Sequence, residues 1–253
     1  MLRDDLREFE VWARTRAHAD RVERARAVLR RAAEIGPLVI STSYGKDSTV
    51  LIDLAAETLG RVDSMHLSSP YRLPGWEPVA AWTAAHSTLH VVPARRSLAE
   101  TIAWLREIGL GYEREGRRQV GARAKGDRGD EYAREAGFVA RALGLRAEES
   151  AQRKRFLLAR GALYQRRTDG AWIANPLAWF SLEDVWARIV TRGLPYHRLY
   201  DCTTHGQTKR SLRNSGWLTT IGVGEGRIAW LRRHFPAQYR VLVAEFPQVA
   251  LLG

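Results

Sequence analysis

The chain has 253 residues, with 40 Lys and Arg against 28 Asp and Glu, a formal net charge of +12, and 45% hydrophobic residues. That length buries one sizeable core. No apolar run approaches the ~18 to 20 residues that cross a bilayer, so a membrane-spanning protein is excluded. A single cysteine, Cys202, excludes an intrachain disulfide, an iron–sulfur cluster held by this chain and a Cys-rich zinc site. The N-terminal segment MLRDDLREFE lacks the apolar stretch of a secretory signal, and the expected compartment is the cytoplasm. Charge is concentrated: residues 114–167 hold 15 Lys and Arg against 7 Asp and Glu, and residues 208–240 hold 7 against 1. Such runs suit a nucleotide, a nucleic acid or an acidic partner protein, or form a solvated Arg-rich surface.

In residues 2–35, apolar positions at helical spacing predict two amphipathic helices meeting near His18 to Asp20, with Asp20 as the second cap. Gly36-Pro37 ends the second helix, and Leu38-Val39-Ile40 reads as a buried parallel strand. After a sharp polar turn, Val50, Leu51, Leu54 and Ala55 predict a helix that Gly60 stops. The alternation repeats with Val62 to Leu67 as strand, Glu77 to His86 as helix, Leu89 to Val92 as strand and Leu98 to Glu107 as helix. Residues 111–130, rich in Gly and Arg, read as a mobile basic loop able to act as a lid. Phe138 to Ala142 is then a strand, Glu148 to Ala159 a helix and Trp172 to Ala174 a last short strand. Ser181-Leu182-Glu183-Asp184 has capping-box form and starts a helix through Arg192. From Thr203 a loop leads to helices around Arg227 to His234 and Ala237 to Phe246.

Alternating strands and helices define the fold class as α/β, a doubly wound and mainly parallel sheet with helices on both faces. The expected organisation is N-terminal helices in 1–35, a nucleotide-binding α/β domain in 36–201, and a loop with helices in 202–253 packed on it. The oligomeric state, a homodimer among the options, is not set by the sequence.

Ser43, Tyr44, Gly45, Lys46, Asp47 and Ser48 fall between a buried strand and a helix, where backbone N–H groups and the positive helix end hold phosphate oxygens. Gly45 permits close approach, Lys46 adds a point charge, and the hydroxyls of Ser41, Ser43 and Ser48 can donate to phosphate. The Walker spacing is absent. The Ser-x-Gly-x-Asp-Ser pattern after a first strand resembles the pyrophosphatase loop of the adenine-nucleotide α-hydrolase superfamily. Gly144-Leu145-Arg146 with Glu149-Ser150 and Arg153 is similar to the fourth-strand segment of the phosphoadenosine phosphosulfate reductase family. Asn175-Pro176-Leu177, Trp179, Asp184-Val185-Trp186 and the run Leu194 to Asp201 resemble that family's C-terminal segment.

The resemblance implies an adenine nucleotide across the strand ends, its phosphates on residues 43–48, and Arg146 and Arg153 toward the anionic end. Lys46, Asp47 and Arg146 are the implied catalytic residues. For both arginines the alternative is an ion pair with Glu148 or Glu149. His197 is either a ligand-facing donor or a satisfied loop histidine, and Trp179 and Trp186 read as core.

A reductase of that family carries a nucleophilic cysteine near its C-terminus, and the tail from Glu245 to Gly253 has none. Asp47-Ser48 is intact, as in members that use ATP, and Asp47 is the candidate ligand for Mg²⁺ brought with ATP. The leading expectation is an ATP-dependent α-hydrolase that adenylates an acceptor in sulfur metabolism or nucleic-acid modification. The alternatives are a sulfonucleotide reductase acting through Cys202, with phosphoadenosine phosphosulfate as its nucleotide, and a nucleic-acid-associated subunit using the basic segments 114–167 and 208–240.

Overall fold

The computed structural model describes residues 3–110, 128–202, 216–218 and 226–252. Helices α1 (Arg3–Ala13) and α2 (Arg16–Ile35) meet at Thr15, ahead of the expected His18 to Asp20. The Thr15 hydroxyl accepts from the His18 N–H at 3.2 Å, so Thr15 is the cap and Asp20 is not. His18 enters the helix because its ring is buried against Asp184, 2.9 Å away in a later element, a contact no local pattern shows.

Strand β1 (Leu38–Thr42), α3 (Lys46–Leu59), β2 (Val62–Leu67), α4 (Glu77–His86), β3 (Ser87–Val92) and α5 (Leu98–Ile108) follow the expected alternation. Gly60 stops α3 at φ 82°, in the region glycine enters at least cost. Of the expected basic loop 111–130, residues 111–127 lie outside the described residues. Residues 128–130 are not loop: they open α6 (Arg128–Glu135), whose first turn carries Asp130 and Glu131 at the positive helix end.

Strand β4 spans only Ala140–Ala142, because the N–H groups of Val139 and Ala140 turn to the Pro37 carbonyl before the ladder begins. The helix expected from Glu148 is divided. A 3₁₀ turn (Ala147–Glu149) precedes α7 (Ala151–Arg160), and Ser150 caps α7 by accepting from the Arg153 N–H at 3.1 Å. A strand missed by the sequence reading, β5 (Leu163–Gln165), pairs antiparallel with β6 (Trp172–Ala174). Then come α8 (Leu182–Arg192), opened by the expected capping box, α9 (Arg227–His234) and α10 (Pro236–Glu245). The loop expected from Thr203 lies outside the described residues at 203–215 and 219–225.

The six strands order as β3-β2-β1-β4-β6-β5, parallel except for β5. Alternation along β1 divides the core between the two faces of the sheet. Ile40 packs in the large cluster with α2, α3 and α8, while Val39 joins Met65, Val92 and Ala133 of α6 on the other side. An ion network ties α3 to α8: Arg188, 5% exposed, donates to Asp53 and Glu57 at 2.6 Å each. Burial raises the Glu57 pKa, but Arg188 and Arg26 outweigh it and bring the group down to about 2. Because the chain leaves β1 to β2 on one side and returns to β4 on the other, a crevice opens between the carboxyl ends of β1 and β4. No helix among the described residues is long and apolar enough to cross a membrane.

Candidate nucleotide site

Residues 43–45 link β1 to the first turn of α3, and their own hydroxyls fold them. Ser48 Oγ accepts from the Ser43 N–H at 3.3 Å and donates to the Gly45 carbonyl at 2.9 Å. Thr42 Oγ1 accepts from the Tyr44 N–H at 3.1 Å. Tyr44 has φ 55°, the only positive φ at a non-glycine among the described residues. That conformation costs on the order of 1–3 kcal/mol and persists only where the surroundings impose it. Here they do: the ring is 2% exposed and stacks on His66 at 4.0 Å and Trp76 at 5.6 Å.

At the head of α3 the side chains form a charged bridge. Asp47 Oδ2 accepts from Lys46 Nζ at 2.7 Å and Oδ1 from Arg146 Nε at 2.7 Å. Burial raises the Asp47 pKa, yet the charges of Lys46 and Arg146 prevail and hold the carboxyl below its ordinary value. Arg146 also reaches Glu148 at 3.3 Å, and its N–H donates to Glu149 Oε2 at 3.0 Å. Tyr200, from the 3₁₀ turn Arg198–Asp201, accepts the Lys46 N–H at 3.4 Å, and burial pushes its phenol pKa upward. Gly144 lets the β4 loop lie against this turn, since a Cβ there would stand 3.3 Å from the Asp47 carbonyl carbon.

The crevice opens as a cavity of about 570 Å³ at the carboxyl ends of β1, β2, β3 and β4. Ser41, Ser43, Gly45, Lys46, Asp47, Ser48, Gly144 and Arg153, all expected from the sequence, line it. Arg146 does not; it stands behind Asp47, to which it donates. Tyr44 and His197 are not on the wall either. His197 is fully buried, with Nδ1 accepting from the Leu199 N–H at 3.0 Å and Nε2–H donating to the Leu73 carbonyl at 3.2 Å, so it holds a loop. Ser41 has its hydroxyl on Arg141 Nε at 2.6 Å. Trp186 is fully buried, core as expected, and Trp179 is half-buried against Ala147 and Leu157.

Five further cations on the wall escaped the sequence reading: Arg72, Arg95, Arg96, Arg128 and Arg141. They follow β2 and β3, start α6 or sit on β4. A signal existed, since ligands of open α/β sheets gather at strand carboxyl ends and Arg72, Arg95 and Arg96 follow two expected strands. Arg141 is steered by Asp130 at 2.6 Å, which also takes Arg166 at 2.8 Å.

The residues do not fit a protein-held metal. Both Asp47 oxygens are engaged by cations, and among the described residues no group of three or more His, Cys, Asp or Glu could hold one. A divalent ion carried by a nucleotide keeps its phosphate and water ligands. Cys202 is half-buried against the core, outside the cavity wall, its pKa raised by burial.

A mainly parallel sheet with this loop at its switch point defines a protein of the adenine-nucleotide α-hydrolase superfamily. Residues 37–222 match the model of the phosphoadenosine phosphosulfate reductase domain, and the chain belongs to that family. Among solved structures it is similar to the phosphoadenylyl-sulfate reductase of Candida auris in its phosphate complex, at 22% identity and a TM-score of 0.53, covering 70% of this chain and 83% of that one. Similar too is the Candida glabrata FMN adenylyltransferase with FAD and inorganic pyrophosphate, at 12% identity, TM-score 0.51, covering 78% and 66%. Yeast FAD synthetase with FAD gives 14%, 0.51, and coverage of 80% and 72%. These likenesses bear on the fold. A sequence comparison with curated proteins gives no match.

Proposed function

We propose that the cavity binds an adenine nucleotide with its phosphates on residues 43–48, and that the chain uses ATP to adenylate an acceptor. The supporting observation is the intact loop heading α3, with Lys46 fixed on Asp47 beneath a wall rich in guanidinium groups. An acceptor oxygen attacks the α-phosphorus, the bond to the bridging oxygen of pyrophosphate breaks, and pyrophosphate leaves with the electron pair. The chain's part is positioning and electrostatics: the N-terminal turn of α3 and Lys46 stabilise negative charge on the departing phosphates. Arg146, through Asp47, keeps Lys46 in place, and Arg153 adds charge on the cavity wall.

A reductase acting through Cys202 is the competing reading. Its thiol is not on the cavity wall and is disfavoured as a thiolate. Incubation with MgATP and a panel of acceptors, assayed for AMP-linked product and pyrophosphate, tests the proposal. Release of ADP and phosphate alone would contradict it.

A further inference from the structure

Arg72 lies in the loop after β2, on the cavity wall. Its guanidinium carbon sits 5.0 Å from the ring centres of both Tyr44 and Trp76, two rings stacked at 5.6 Å and inclined by 9°. Planar guanidinium against aromatic faces is a favourable packing. Nη2 donates to His66 Nε2 and to the Leu67 carbonyl at 3.5 Å. His66 can accept there because its Nδ1 lies 2.8 Å from the Thr42 carbonyl, which only accepts, so the ring proton is on Nδ1. The chain of contacts from β1 through His66 therefore fixes the guanidinium from one side, and the two rings fix it from another.

Among the described residues no ion pair neutralises this group, and the Glu77 carboxylate acts on it only from beyond contact. No carboxylate lies within ion-pair distance of Arg72 among the described residues, and its Nη1 is buried without a hydrogen-bond partner there. Most of its wall neighbours differ: Lys46 pairs with Asp47 at 2.7 Å, Arg141 with Asp130 at 2.6 Å, Arg128 with Glu131 at 3.6 Å, Arg95 with Glu131 and Arg153 with Glu149, while Arg96 lies over the Trp104 ring. Burial also pushes the Arg72 pKa down. A desolvated cation with an idle donor costs stability. Its location on a cavity wall supplies the reason to keep it.

We infer that Arg72, oriented by His66, Tyr44 and Trp76, is an oxyanion subsite that takes the carboxylate, sulfate or phosphate group of the acceptor. The identity of the occupant rests on the adenylation reading; the existence of an anion subsite does not. A planar fork with one idle arm suits an oxyanion, and Tyr44 places it beside the phosphate loop. The acceptor class is thus a small anionic molecule or a chain bearing an oxyanion.

The test is calorimetric titration of the full chain with sodium sulfate in the presence of saturating AMP, and no turnover is needed. Arg72→Leu should weaken sulfate roughly 10- to 100-fold, the worth of a charge-assisted hydrogen bond, with an unchanged or higher Tm without ligand. Arg72→Lys, which keeps charge but not the fork, should recover part of the affinity and serves if the leucine variant fails to fold. Equal sulfate affinity in wild type and Arg72→Leu, or in wild type and Arg72→Lys if only that variant folds, would overturn the subsite. If Arg72→Leu weakens ATP but not AMP, the oxyanion is the nucleotide's own terminal phosphate and the acceptor assignment falls. Absence of adenylation with sulfate binding intact would overturn the proposed reaction while leaving the subsite standing.

Discussion

Replacing Asp47 by Asn separates the two roles this carboxylate can have. In the structure it bridges Lys46 and Arg146 at 2.7 Å each, and these cations are only 6% and 5% exposed. Breaking a buried pair from one side costs about 3–5 kcal/mol, because the remaining charge stays desolvated. Asn keeps one acceptor, and Arg146 retains Glu148 at 3.3 Å, so the expected loss lies at or just below the bottom of that range, about 2–3 kcal/mol. At about 2–4 °C per kcal/mol for a chain of this size, Tm should fall by roughly 5–10 °C at pH 7. The folded pKa of Asp47 is depressed, so its contribution is complete above the unfolded carboxylate value of about 3.9 and is lost as pH falls through the folded value. The difference between variant and wild type should therefore be constant from about pH 5 to 8 and close below about 4. Inorganic pyrophosphate, by supplying charge to Lys46 on the cavity wall, should raise the Tm of the Asn variant more than that of the wild type. Thermal melts with and without pyrophosphate and EDTA read all of this. A variant as stable as wild type at pH 7, or nucleotide binding that needs Mg²⁺ in the wild type and vanishes in the variant, would refute the bridge and make Asp47 a metal ligand.

Arg188→Met strips a 5% exposed guanidinium from Asp53 and Glu57 and should cost about 3–5 kcal/mol in urea unfolding, loosening α3 from α8. Gly144→Val pushes a branched side chain into space where even a Cβ meets the Asp47 carbonyl carbon at 3.3 Å. Nucleotide affinity, measured by calorimetry, should drop ~10-fold or more, the equivalent of a modest overpacking strain. Cys202→Ser should leave nucleotide binding and pyrophosphate release unchanged, since the thiol is off the cavity wall; sulfite release from phosphoadenosine phosphosulfate that this variant abolishes would favour the reductase.

The elements easiest to read were those whose signals are local. The apolar run before residue 43, the capping box at Ser181 and the stop at Gly60 all carry their cause within a few residues. What escaped depends on distant partners. Thr15 rather than Asp20 caps α2 because Asp184 draws His18 into the helix, and β5 exists because β6 offers it an edge. The same division holds at the site. The phosphate loop is contiguous in sequence, so its residues were visible, whereas the cationic wall is assembled from four strand ends and a helix start. Of the two readings open for His197, ligand-facing donor or satisfied loop histidine, its hydrogen bonds match the second, and Tyr44, expected at the nucleotide, lies off the cavity wall with its ring beneath Arg72. For Arg146 the sequence left a nucleotide-facing role and an ion pair with Glu148 or Glu149 both open, and its 2.7 Å contact with Asp47, a distant residue in sequence, is visible only in the structure.

The central claim is attack at the α-phosphorus of ATP in a cavity built on residues 43–48. Acceptor-dependent exchange of labelled inorganic pyrophosphate into ATP tests it most directly, because only a reversible adenylation returns pyrophosphate to the β and γ positions. Label in ATP with wild type, lost with Lys46→Ala, is the expected result. No exchange with any oxyanion-bearing acceptor, accompanied by sulfite release from phosphoadenosine phosphosulfate, would contradict the account.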